Sequence, residues 1–141
     1  MSMKTIFMVF VIAITTLVAI ACGRGGSSDG GKTIKSTSAG NMTVTLASPT
    51  GELRNGENDL TITFADSSGK PVDVGAASLN FHMPAMGSMP EMNDAATLTT
   101  TDTPGIYRAK VNIEMAGTWE AQIRYQGPQG AGQASMTVNA K

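Results

Sequence analysis

The sequence has little of the chemistry on which most enzymes and metal proteins depend. Its 141 residues include one cysteine and one histidine, too few for a disulfide framework, a Cys/His zinc site or a catalytic Cys–His pair. Charged residues make up 15% of the chain and the net charge is −1. No basic run is present, which argues against a nucleic-acid partner. The length suffices for one domain.

Paired carboxylates and cofactor motifs are also missing, and without them no reaction can be proposed. The acidic residues nearest to the unusual part of the chain are scattered, and we expect them to be solvated surface groups: Glu91, Asp94, Asp102, Glu114 and Glu120. We therefore predict that the protein is not an enzyme.

Long apolar runs are confined to the N-terminus. After Lys4 the chain is apolar from 6 to 20 apart from two threonines, which is typical of a signal peptide and short for a spanning helix. The run ends in Ala19-Ile20-Ala21-Cys22, which resembles the processing box of bacterial lipoproteins. We predict a lipoprotein signal peptide over 1–21 and lipidation of Cys22. A plain secretory signal, cut just before the cysteine, is the alternative.

Lipidation would make this a membrane-attached protein of the bacterial cell envelope, facing the periplasm or the exterior.

Residues 22–41 are Gly- and Ser-rich and predict a flexible tether, because so little apolar surface cannot order a chain. Residues 42–141 differ, since apolar and polar residues alternate there with period two, as in Leu60-Thr61-Ile62-Thr63-Phe64. The boundary between tether and folded domain is therefore placed at residue 42.

The alternating runs are separated by turn residues at intervals of about ten. About seven short antiparallel strands in one domain favour an all-β, immunoglobulin-like β-sandwich over a barrel. We expect Trp119 to face the core. Tyr107 follows a Pro-Gly corner, and we expect its hydroxyl to bond to upstream backbone.

One segment, Phe81 to Met92, is not explained by strand or turn composition. Methionine recurs every third residue at Met83, Met86, Met89 and Met92, and two prolines exclude a helix. In an extended, polyproline-like strip the sulfurs would lie about 9 Å apart, too far for two of them to bind one ion. Metal binding requires the segment to fold back, and Gly87-Ser88 is the predicted turn.

Thioether and imidazole ligands suit Cu(I) and disfavour calcium, magnesium and zinc. The predicted cofactor is therefore copper, as Cu(I), with His82, Met86, Met89 and Met92 as ligands. Met83 is held in reserve, because it continues the buried face of a predicted strand. The competing interpretation needs no metal: a Met-rich loop can form an adaptable contact surface, and a lone histidine is often structural.

Five motifs, in this order and spacing, resemble the YtkA-like (FixH-like) domain over about residues 42 to 140: Asn58 to Phe64, Gly69-Lys70-Pro71-Val72, His82-Met83-Pro84-x-Met86, Pro104-Gly105-x-Tyr107 and Met115-x-Gly117-x-Trp119. Met83 and Met86 match the family's Met-Pro-x-Met pattern, whereas Met89 and Met92 extend it. The FixH-type spanning helix is replaced here by the lipoprotein-like start.

The resemblance implies an immunoglobulin-like sandwich exposed in the cell envelope, often associated with copper handling, respiratory-oxidase assembly or metal efflux. Our leading hypothesis is a lipid-anchored copper-binding protein that holds Cu(I), or delivers it to a membrane partner such as a transporter or an oxidase. The alternative is a docking module for such a transporter or oxidase, with the Met-rich loop as a metal-free contact surface.

Overall fold

The computed structural model describes residues 31–128 and 130–141, and the predicted signal peptide and Cys22 lie outside them. The described residues form nine β-strands: β1 Lys32–Ala39, β2 Met42–Ser48, β3 Gly56–Ala65, β4 Ala76–Met83, β5 Met92–Ala95, β6 Thr97–Thr100, β7 Ile106–Ile113, β8 Gly117–Gly127 and β9 Gly130–Ala140. Within these two ranges no helix is long and apolar enough to cross a membrane.

The strands pair antiparallel in two sheets, which confirms the all-β sandwich. One sheet has five strands in the order β1-β2-β3-β7-β6, and the other has four in the order β5-β4-β8-β9. Strands β5 and β6 are one extended run that changes sheet at Ala96, whose N–H donates to the carbonyl of Leu79 at 2.9 Å. This change of sheet and the additional strand β1 account for nine strands where about seven were predicted.

The predicted tether over 22–41 is wrong from Lys32 onward, because residues 32 to 39 form β1. This strand has few apolar side chains, and its backbone ladder with β2, closed by a two-residue turn at Gly40-Asn41, supplies most of its bonds. Ile34 adds partial burial against the core, and the Lys35 ammonium donates to the carbonyl of Thr137 at 2.8 Å. Low hydrophobicity therefore does not prevent order here.

The core lies between the two sheets, and its largest fully buried side chains are Trp119, Phe64 and Phe81. The Trp119 indole N–H donates to the carbonyl of Met115 at 3.0 Å, so the ring is buried without an unpaired donor. The inward orientation predicted for Trp119 is confirmed.

Tyr107 is also buried, and its hydroxyl donates to the carbonyl of Gly75 at 2.5 Å. The acceptor is upstream, as predicted, but by 32 residues, in the β3–β4 connection. The bond therefore joins the start of β7 to the β3–β4 connection at one end of the sandwich. Burial raises the pKa of the Tyr107 phenol above its ordinary 10.0, and the nearby negative charge of Asp73 adds to the rise.

Candidate functional site

The chain folds back between Met86 and Met89. The N–H of Met86 donates to the carbonyl of Met89 at 3.1 Å, and the N–H of Met89 donates to the carbonyl of Met86 at 2.8 Å. Gly87 and Ser88 form the connecting turn, and Gly87 supplies its positive φ of 56° at no steric cost. The turn lies where the sequence predicted it. We call residues 84–91 the Met hairpin.

Residues 84–85 and 90–91, which belong to no strand, separate the Met86–Met89 bridge from the β4–β5 ladder. Met83 lies opposite Met92, His82 opposite Asn93, and the Met86–Met89 pair falls in the same alignment. Successive pairs in an antiparallel hairpin point to alternate faces. By residue count, the Met86–Met89 pair is in phase with His82, and the Met83–Met92 pair is out of phase with it.

Burial agrees with this division. Met83 is only 2% exposed, and its Cε lies 3.0 Å from where a Cβ on Gly117 would stand. Met92 is partly buried against the core. Met86 and Met89 are 57% and 38% exposed. Of the five candidate ligands, the fold pairs Met86 with Met89, in the alignment that includes His82, and uses Met83 and Met92 in packing.

His82 is half-buried on the outer face of the four-stranded sheet. Its Nδ1 lies 3.0 Å from Oδ1 of Asn93, and Nδ2 of Asn93 donates to Oε1 of Glu91 at 3.1 Å. An ionised carboxylate only accepts hydrogen bonds, so the amide nitrogen of Asn93 must face Glu91 and its oxygen must face His82. This network assigns the proton of the neutral ring to Nδ1 and leaves the lone pair on Nε2.

The other neighbours of His82 are polar as well. Glu120 lies directly opposite His82 on β8, and Asn80, two residues along β4, donates to Oδ1 of Asn93 at 3.2 Å. The sequence did not indicate Asn93, Glu91 or Glu120 as neighbours of His82. Glu120 was visible as a polar residue of an alternating run, but the strand register that places Glu120 and Asn93 beside His82 was not.

The described residues contain no group of three or more His, Cys, Asp or Glu side chains able to hold a metal ion. Asp94, predicted to lie on the surface, is instead buried, and its Oδ2 accepts a bond from the N–H of Glu114 at 3.0 Å. Asp94 therefore holds the start of the β7–β8 connection, while Glu91 is exposed.

Open grooves elsewhere do not involve the candidate ligands. The one on the four-stranded sheet near the β8–β9 turn measures about 540 Å³ and is lined by residues that include Ala77, Tyr125 and Gly132. It lies at the end of the sheet away from the Met hairpin, so the candidate ligands cannot reach it.

A family model described as YtkA-like matches residues 37–124, more than half of the chain. No curated protein matches. A crystal structure of a DUF4785 family protein from Legionella pneumophila is similar, with a TM-score of 0.49 and 12% identity, over 72% of this chain and 28% of that chain. The extent of the family match shows that the chain belongs to the YtkA-like family.

Proposed function

We propose that this protein is a lipid-anchored copper-binding protein of the bacterial cell envelope. It holds Cu(I) on Nε2 of His82 and the sulfurs of Met86 and Met89, and buffers the metal or passes it to a membrane transporter or oxidase. The observation that carries the proposal is the Met86–Met89 pair, closed by two backbone hydrogen bonds in the alignment that includes His82.

The geometry of the pair suits one ion. Directly opposed residues have Cβ atoms about 5 Å apart, and methionine side chains are flexible enough to turn both sulfurs to one point. The Cα atoms of His82 and Met86 are at most about 13 Å apart, from about 3.3 Å per residue of extended chain. Two long side chains directed at the same ion can span that distance.

The chemistry of the three ligands favours Cu(I) over harder cations. All three are neutral, and thioether sulfur is a soft ligand. The Nδ1–H bond to Asn93 orients the imidazole in the manner of the outer-shell partners found at metal sites. Each weak thioether can be released separately, so the metal can leave by ligand exchange.

The test is a Cu(I) titration of the membrane-extracted protein in detergent, against a competing chelator. Any free Cys22 thiol is alkylated first, because a thiolate also binds copper. We expect one tight equivalent, lost in the triple variant His82→Ala, Met86→Ala, Met89→Ala and kept in Met83→Leu, which preserves core volume. Unchanged affinity in the triple variant would exclude this site.

One observation favours the docking alternative. Met86 and Met89 are the large hydrophobic side chains that stand exposed among the described residues, and exposed Met-rich surfaces bind partners adaptably. The double variant Met86→Leu, Met89→Leu separates the two functions, because leucine keeps the apolar volume and removes the sulfur. Cells carrying it should fail under copper stress if the site binds copper, and survive like wild type if it is a contact surface.

A further inference from the structure

The Met hairpin lies at one end of the sandwich, and three residues form a row across the four-stranded sheet just below it. His82 of β4 lies opposite Glu120 of β8, which lies opposite Thr137 of β9. Strand β1 runs alongside this sheet, since the Lys35 ammonium bonds to the Thr137 carbonyl. Lys35 is therefore level with His82 along the length of the sandwich.

The described chain starts at this same end. Lys32 precedes Lys35 by three residues, and its Cβ lies 3.0 Å from where a Cβ on Gly51 would stand. Glu52, which follows Gly51, bonds to the ammonium of Lys141, the residue after β9. Ala140, which precedes Lys141, is opposite Gly117, the residue on which Met83 packs. The start of β1 and the base of the Met hairpin therefore share one end.

The opposite end holds the β1–β2, β3–β4, β6–β7 and β8–β9 connections. The β1–β2 turn follows Ala39, and Gly105 of the β6–β7 corner accepts the N–H of Phe64 at 2.8 Å, near the end of β3. The β8–β9 turn at Gly127 packs against the backbone of Gly75. Strand β8, with 11 residues, connects the two ends, a length of about 33 Å at about 3.3 Å per residue.

We propose that the membrane-attached protein faces the bilayer with its Met hairpin end, so that the surface around Met86 and Met89 meets the membrane that holds the protein. This inference rests on the anchor in the proposed function. It holds for a lipid on Cys22 and equally for a retained apolar segment at 6–20, because both lie N-terminal to Gly31.

The length of the connection sets the preferred orientation. Ten residues lead from Cys22 to Lys32, at most about 36 Å of chain. Turning the far end to the bilayer would raise Gly31 by about 33 Å, the length of the sandwich. That requires almost full extension of the connection, which costs conformational entropy.

This orientation limits which kind of protein can take copper from the site. A copper ion held at the Met hairpin is presented toward the bilayer surface, where an integral membrane protein can take it. A soluble acceptor would have to reach between the domain and the membrane.

The test measures the distance of each end from the bilayer in the full, membrane-attached protein without copper. Ser88→Cys in the hairpin turn and Ser67→Cys in the β3–β4 loop are matched exposed serines. Each is labelled with a donor dye in phosphatidylethanolamine–phosphatidylglycerol vesicles that carry an acceptor dye on the headgroups. Energy transfer should be severalfold greater from position 88 than from position 67. Equal transfer, or greater transfer from position 67, would overturn the proposed orientation.

The controls separate this inference from the copper proposal. Wild-type protein, whose one cysteine is Cys22, should take up no dye if that thiol carries the lipid. Cys22→Ser, combined with each labelled position, should abolish transfer if the lipid is the anchor. Protein that does not stay with the vesicles at all overturns the anchor and this inference together. Because the measurement uses copper-free protein, a negative Cu(I) titration leaves its outcome standing.

Discussion

His82 and Asn93 face each other across the β4–β5 pair, with Nδ1 of the imidazole 3.0 Å from the side-chain oxygen of Asn93. Glu91 fixes the orientation of that amide by accepting from its nitrogen. The carboxylate thereby determines, through one intervening side chain, which nitrogen of His82 has a free lone pair. In metal sites such partners set both the tautomer and the direction of the ring.

Asn93→Leu should remove the hydrogen bond that orients the His82 ring while keeping the approximate volume of the side chain. We expect the His82 ring to populate both tautomers in the copper-free protein, seen as a shift of its ring nitrogen resonances in NMR. The affinity for Cu(I) should fall about 10-fold or more. Asn112→Leu, at an exposed position of β7 in the other sheet, should change neither quantity. Unchanged ring resonances in Asn93→Leu would show that the hydrogen bond does not select the tautomer.

Met83 and Met86 should differ in how much each contributes to the free energy of unfolding. Met83→Ala removes a core side chain that is 2% exposed, and should lower the free energy of unfolding by about 2–4 kcal/mol. Met86→Ala, at a position 57% exposed, should change it by no more than about 0.5 kcal/mol. Urea denaturation followed by Trp119 fluorescence measures both. A similar loss in the two variants would contradict the division of the methionines into packed and exposed side chains.

Tyr107 should make the protein sensitive to alkaline pH. Its pKa is raised above 10.0 by burial in the folded state, so the unfolded chain releases the phenol proton first as the pH rises. The stabilisation is complete below about pH 10 and is lost above it. The free energy of unfolding should therefore fall more steeply above pH 10 in wild type than in Tyr107→Phe.

Tyr107→Phe should also lower the stability of the folded protein at neutral pH. It leaves the carbonyl of Gly75 without its 2.5 Å bond, a loss of about 1–2 kcal/mol. Parallel alkaline slopes for wild type and Tyr107→Phe would show that another group controls the transition.

The backbone amides of strand β1 should be protected from hydrogen exchange. Its ladder with β2 predicts slow exchange for amides between Lys32 and Ala39. Ile34→Asp, which places a charge where a side chain packs against the core, should accelerate exchange in β1 and leave β8 protected. Mass spectrometry of peptic peptides resolves the two strands. Exchange of residues 32 to 39 at the rate of unstructured chain in wild type would restore the predicted tether.

The sequence by itself determined the features that depend on local pattern. Period-two alternation places Trp119 and the core residues on inward faces, because successive strand residues point to opposite sides. The Gly87-Ser88 turn also follows from local chemistry, since two prolines exclude a helix and glycine allows the reversal. The composition of the Met-rich segment predicted a candidate site.

Only the tertiary structure decided which residues meet. The change of sheet at Ala96 and the burial of Asp94 depend on Leu79 and Glu114, which lie at least 15 residues away. The register that sets Asn93 and Glu120 on either side of His82 and turns Met92 toward the core also depends on pairing between strands. A one-residue shift in register reverses every face of a strand. The energy that selects one register comes from packing the two sheets together, which no local stretch of sequence contains.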